Sequence, residues 1–172
     1  MNRNYGRIWY VIGDATQPIK RPAVIIHSCN DQGAWGSGFV VALSRRWPGP
    51  EQVYRSGSKA LGTITYCRVE EDLYVFNLVT QQGLGAGAHL NALAFEDCLS
   101  RVCDTLDKWP YGEKPTVHCP RIGADRGNTD WKYTEQALAL GLQCHDVYVY
   151  DLTVEAYRKY ELCHEYGTCY ER

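Results

Sequence analysis

The apolar positions of this chain come in short runs, and polar turns separate them. Arg7–Ile12 (RIWYVI) predicts a strand ended by Gly13-Asp14. Ala23–His27 (AVIIH) is a continuous apolar run, the kind a fully buried strand gives. A glycine-rich turn follows, Asn30–Gly38 (NDQGAWGSG), and then a helix over Phe39–Trp47 that must stop before Pro48. Gly62–Arg68 and Leu73–Thr80 predict two strands paired like a hairpin around the solvated turn Glu70-Glu71-Asp72. A second glycine-rich stretch, Gln81–Ala88, leads into a long helix over His89–Lys108. Its apolar face is read as Leu90, Leu93, Ala94, Cys98, Val102 and Leu106. Thr116–Ile122 predicts a strand, Gly123–Asp130 a loop, Trp131–Gly141 a helix and Val147–Leu152 the last strand. From Thr153 the chain reads as helical to about Tyr166. The expected division is therefore a main domain over 1–153 and a helical C-terminal extension over 154–172.

Strands and helices alternate, and several strands are too apolar for a sheet with one wet face. An α/β domain with a central, mixed but mostly parallel sheet between layers of helices follows. Strand, glycine-rich turn and helix recur at 23–47, 73–108 and 116–141. In such a sheet these turns gather at the carboxyl edge, where ligands bind. Each turn also presents a helix N-terminus, whose amides and partial positive charge suit an anion. The class of ligand this suggests is phosphorylated and extended.

Known phosphate loops do not fit. Gly33 and Gly38 have the glycine spacing of a Walker A loop, but Phe39-Val40 stands where Lys and Ser/Thr must follow. The dinucleotide pattern fails as well, because Gly36 and Gly38 have no third glycine after them. Six residues separate Cys119 from Arg126, one more than a cysteine-phosphatase cradle holds. Cys119 then reads as a buried strand cysteine.

Composition narrows the field without naming a function. The chain has 172 residues and a formal net charge of −2, with 45% hydrophobic and 22% charged residues. It is globular, with no broad electrostatic footprint for nucleic acid or an anionic membrane. No run approaches a membrane span, and residues 1–7 have no apolar core of a secretory signal. With no such signal, the eight cysteines are expected reduced and the chain cytoplasmic. Cys144-His145, Cys163-His164 and Cys169 lack a paired C-x-x-C and are irregularly spaced, so no metal or cofactor is expected from them.

Three segments carry a resemblance. Gly13-Asp14-Ala15-Thr16 follows the first strand, His27-Ser28-Cys29-Asn30 precedes Gly33-x-Trp35-Gly36-x-Gly38, and Pro120-Arg121-Ile122-Gly123 precedes Asp130-Trp131. Together they resemble macro domains, the ADP-ribose-binding fold. The His27–Gly38 segment is especially similar to fungal-type ADP-ribose-1″-phosphate phosphatases; the Pro120 loop and Val149-Tyr150-x-Leu152 are similar to deADP-ribosylating relatives.

The resemblance implies a three-layer fold and a nucleotide ligand, ADP-ribose or ADP-ribose-1″-phosphate. The charge balance argues against a membrane or nucleic-acid partner, and the sequence says nothing of a protein partner. Asp14 would accept from the adenine amine and Ala15 would offer a backbone amide. Gly36, Ser37 and Gly38 would cradle the diphosphate from one side, and Gly123, Ala124, Arg126 and Gly127 from the other. Asn30 would touch the distal ribose, with Thr80 and Gln81 at its border. His27 would work as acid or base, with Asp125 or Asp130 as partner carboxylate. Gln81-Gln82 stands where the glutamate-deADP-ribosylating relatives have a lysine, so a lysyl adduct is closed to this chain. Their catalytic aspartate aligns with Gly127, two positions from Asp125.

The resulting expectation is a phosphatase that releases ADP-ribose and phosphate. The alternatives are a binding module without turnover, or a hydrolase of ADP-ribose conjugates. Plainer roles stand beside each assignment: His27 as a satisfied core histidine, Asn30 as a turn cap, Asp14 as a turn aspartate, Trp35 as packing and Asp130 as an N-cap.

Overall fold

The computed structural model describes residues 7–124, 129–160 and 167–169. Among these, eight strands form one sheet. They are β1 (Ile8–Ile12), β2 (Ala23–Asn30), β3 (Ile64–Glu70), β4 (Leu73–Gln82), β5 (His89–Leu90), β6 (Thr116–Pro120), β7 (Val147–Asp151) and β8 (Gly167–Cys169). The order is β3-β4-β2-β6-β7-β1-β8, with β5 beside β4. The neighbours from β4 to β8 along this order pair parallel. The pairs β3/β4 and β4/β5 are antiparallel. This is the expected mixed, mostly parallel sheet.

Both faces of the sheet are covered, and strand parity sorts the side chains between them. Val24 and Ile26 of β2 join Phe76, Val117 and Val149 in the larger core cluster. That cluster packs on α3 (Ala92–Asp107) and α4 (Trp131–Gly141). Ala23 and Ile25 join Leu73 and Val75 on the opposite face, against α1 (Phe39–Arg46). The helix α2 (Gly49–Ser56) sits beside α1 and brings Tyr54 against Cys29 and Val79.

Local chemistry explains the element ends. The Asn91 side chain caps α3 by accepting from the Ala94 amide at 2.9 Å. Asp130 caps α4 through the Lys132 amide at 3.1 Å, the plainer role read for it in the sequence. Three details depart from expectation. The long helix starts at Ala92, because His89 and Leu90 pair with Gln82 and Gln81 as β5. Leu93 is 74% exposed. At 3.6 residues per turn it lies roughly opposite the buried stripe of Ala94, Phe95, Cys98, Leu99, Val102 and Leu106. The helix α2 follows Pro48, where the sequence predicts only the end of the preceding helix; Pro50 occupies its first turn, where a missing N–H costs nothing.

The C-terminal segment is not helical throughout. A fifth helix, α5 (Val154–Tyr160), is followed by β8, which pairs parallel with Ile8–Tyr10 of β1. Among the described residues no helix is long and apolar enough to cross a membrane.

Candidate functional site

The carboxyl ends of β1, β2, β4, β6 and β7 share one edge of the sheet, and a cleft of about 1230 Å³ runs across them. That is large for a single small-molecule pocket and suits an extended ligand. Among the described residues, its charged lining is Asp14, Asp151, Arg45, Arg121 and Lys159, three cations and two carboxylates.

The β1 and β2 ends form one wall. Asp14 Oδ1 accepts from the Thr16 amide at 2.8 Å and the Thr16 hydroxyl at 2.7 Å, which fixes the turn. Its Oδ2 faces Arg46 at 4.0 Å. Gly36, Ser37 and Gly38 line the cleft at the start of α1, where the N-cap residue Gly38 makes no side-chain cap bond. Gly38 has φ 80°, which the lack of a Cβ permits.

Asn30 is engaged within its own loop. Its Oδ1 accepts from the amides of Gln32 and Ala34, each at 3.0 Å, and its Nδ2 donates to the Ala34 carbonyl at 2.7 Å. The Tyr54 hydroxyl donates to the Asn30 carbonyl at 2.6 Å. The turn-cap role is thus made within the loop.

His27 lies below the cleft surface, 1% exposed. Parity puts it with Ala23 and Ile25, facing α1 and α2. Its ring stands edge-on to Trp35 and tilted against Phe39. Nε2 donates to Asn77 Oδ1 at 2.5 Å, and the Asn77 amide nitrogen in turn donates to the Pro50 carbonyl and the Thr65 hydroxyl. Burial pushes the imidazole down to about 4, against the opposing effect of the Asn77 bond. At neutral pH the ring is uncharged, with its proton on Nε2 and its lone pair on Nδ1, 3.9 Å from the Cys29 thiol.

The β6 and β7 ends form the other wall. Arg121 Nη2 and Asp151 Oδ2 are 2.7 Å apart, their side chains 7% and 3% exposed. The guanidinium lies 4.7–4.8 Å from the ring centroids of Tyr10, Trp131 and Tyr160. Trp131 Nε1 donates to the Tyr10 hydroxyl, which donates to Glu135 Oε1 at 2.7 Å. Gly123, at φ 77°, closes this wall; a Cβ there would come within 3.0 Å of Leu90 Cδ2. Ala156, Lys159 and Tyr160 of α5 line the cleft here. The C-terminal segment therefore belongs to the site.

No family model matches the chain. A protein called ADP-ribose 1″-phosphate phosphatase in Saccharomyces cerevisiae is 27% identical over 161 residues, 76% of this chain and 90% of its own length. The protein of that name in Candida glabrata is 40% identical over 108 residues, 59% of this chain and 60% of its own length. A solved macrodomain protein of Streptomyces coelicolor is 37% identical, with TM-score 0.71 over 84% of this chain and 99% of its own. The chain belongs to the macrodomain family.

Within this macrodomain, the cleft gathers Asp14, Ala15, His27, Asn30, Gly36, Ser37, Gly38, Gln81 and Gly123 of the residues singled out in the sequence. Thr80 is not at the surface: it is fully buried, and its hydroxyl meets Ser28 Oγ at 2.7 Å one layer down. Ala124 packs against the larger core cluster. Asp125, Arg126 and Gly127 lie outside the described residues. Cys119 is the buried strand cysteine expected, its thiol pushed up to about 12 by burial.

Sequence reading gave no role to Arg121, Asp151, Tyr160 or Lys159. Arg121 sits inside a quoted motif, and its place between apolar Cys119 and Ile122 was the available signal that a cation was being buried. Leu84 and Leu152, 52% and 75% exposed, stand bare at the cleft. They offer apolar surface beside the polar lining, as a ligand with both a base and phosphates requires.

Proposed function

We propose that this macrodomain binds the ADP-ribose part of ADP-ribose 1″-phosphate and hydrolyses its terminal phosphate monoester. The observation that carries the reading is one cleft holding Asp14, the start of α1 with Gly36–Gly38, and Gly123. Similarity to proteins named for this activity supports it. A solved DarTG protein of Thermosipho africanus, with TM-score 0.60, is described in complex with ADP-ribose, and at 15% identity it supports the fold alone.

In this reading Asp14 takes the adenine amine on Oδ2, the oxygen its turn leaves available. The glycine amides and the start of α1 hold phosphate oxygens. Water attacks phosphorus, the bond from phosphorus to the anomeric oxygen breaks, and that oxygen leaves with a proton. Binding of the remote adenine and diphosphate would position the reacting phosphate. His27, neutral at pH 7, has no second proton to give; it serves as a base through Nδ1, or as a post that holds the floor of the cleft.

Binding without turnover is the second reading. What favours it is that His27 Nε2 and both polar atoms of Asn30 are already bonded within the protein.

Phosphate release from ADP-ribose 1″-phosphate, with ADP-ribose calorimetry on the same samples, separates the two. Wild type should release phosphate. Asp14→Ala should weaken ADP-ribose about tenfold or more, the worth of one hydrogen bond to a charged group. Release lost in His27→Ala with affinity kept would give His27 its chemical part. Tight binding with no release by wild type would leave the second reading. Absence of both would overturn the two together.

A further inference from the structure

At the end of the sheet away from the cleft, a group of donor atoms has no part in nucleotide chemistry. Cys103 and Asp107 lie one turn apart on α3, so helical geometry stacks them on one face. His145 comes to them from the loop between α4 and β7. One donor atom from each of the three lies within 4.8 Å of the others.

The His145 side chain is 4% exposed, and its Nε2 is 3.2 Å from Asp107 Oδ1. The angles do not make a hydrogen bond, and Nε2 is a buried nitrogen without a hydrogen-bond partner. Such an atom is costly to bury and rare. Cys103 Sγ is 3.8 Å from Asp107 Oδ2.

The separations among these donors are near those that a tetrahedral cation sets. Bonds of about 2.0–2.1 Å to nitrogen and oxygen and about 2.3 Å to sulfur would set N···O near ~3.3 Å and S···O near ~3.6 Å. The observed 3.2 Å runs to Asp107 Oδ1 and the 3.8 Å to Asp107 Oδ2, so a turn of this half-exposed carboxylate would bring one oxygen to both partners. Thiolate with imidazole selects zinc-like metals over magnesium or calcium.

We propose that Cys103, Asp107 and His145 bind one zinc-class divalent cation, with solvent completing the tetrahedron. The spacing of these residues along the chain gives no hint of it, since the set is assembled by the packing of α4 and its following loop beside α3. As the metal–sulfur bond forms, the Cys103 thiol loses its proton to solvent. Lys114 Nζ, 3.6 Å from Asp107 Oδ1 and 55% exposed, is the cation now beside the carboxylate, and it would swing out. The bound metal would tie the last turn of α3 to the loop that starts β7.

The test is cobalt(II) titration of reduced, chelator-treated protein, followed by zinc competition and elemental analysis. One equivalent should bind per chain, with a sulfur-to-cobalt charge-transfer band that zinc abolishes. The band should vanish in Cys103→Ser, and Asp107→Asn and His145→Gln should weaken cobalt by at least about tenfold. Asp107 is half exposed, so Asp107→Asn keeps the test valid if the His145 variant fails to fold. No stoichiometric binding by wild type overturns the proposal. So does a band unchanged in Cys103→Ser and Asp107→Asn, which would mean that other cysteines hold the metal.

Discussion

The two walls of the cleft are held by contacts of opposite range. On the β2 wall, the Asn30 side chain bonds amides two and four positions along the chain, and Tyr54, 24 residues on, braces it. On the β6–β7 wall, Arg121 meets Asp151 at a separation of 30 residues, and Tyr10 meets Glu135 and Trp131 at 125 and 121. The first wall is a loop whose turn is set by its own residues and then braced by Tyr54. The second exists only once the sheet, α4 and α5 have docked. A sequence pattern reports the first kind of contact and is nearly blind to the second.

Breaking the long-range wall should cost most. Arg121→Ala strands the buried Asp151 carboxylate and should lower unfolding free energy by about 3–5 kcal/mol in chemical denaturation. It should weaken ADP-ribose as well, since α5 loses the cation under Tyr160. A small loss of stability would mean that the pair is wetter than its burial implies.

Acid should act on both walls. His27 is pushed down to about 4, and His118, buried in β6 with its Nδ1 2.7 Å from the Tyr150 hydroxyl, to about 3, each chiefly by burial. In the unfolded chain both return to their ordinary value near 6.5. The unfolded state therefore binds the extra protons as pH falls. The stability due to the neutral rings is complete above about 6.5 and is lost as pH falls toward the folded values. Between pH 7 and pH 5 each ring should cost on the order of 2 kcal/mol. Urea curves at the two pH values measure this. In His27→Gln and in His118→Gln the drop should shrink by one ring's share, and an unchanged drop would show that the ring was never held neutral.

The smallest effect is expected on the β2 wall. Asn30→Ala removes a local, mostly exposed bond set and should cost about 1 kcal/mol. ADP-ribose affinity should fall more than stability does, because the Gly36–Gly38 amides lose their fixed placement. A stability loss as large as that of Arg121→Ala would erase the contrast between the walls.

Much of the fold was legible in residue order. Apolar runs bounded by glycine gave the strands, and 3.6-residue periodicity with a capping Asp130 gave α4. The three glycine turns placed the edge that carries the cleft, and the His27–Gly38 segment carried the likeness to macro domains. These are short-range signals, written in neighbouring residues. Others went unread. Leu93 looked apolar enough for the core, yet helical phase turns it outward. Thr80 looked like a rim residue, yet its strand position buries it beside Ser28.

The sequence by itself determined the layered α/β architecture, the edge that carries the cleft and the glycine loops at its rim, because each follows from local periodicity and backbone freedom. Only the tertiary structure decided that His27 is sealed and neutral on Asn77, that Arg121 is caged by three rings and Asp151, that α5 walls the cleft, and that Cys103, Asp107 and His145 converge. Each of those depends on which distant elements pack together, and so on burial and partners that no window of the sequence contains.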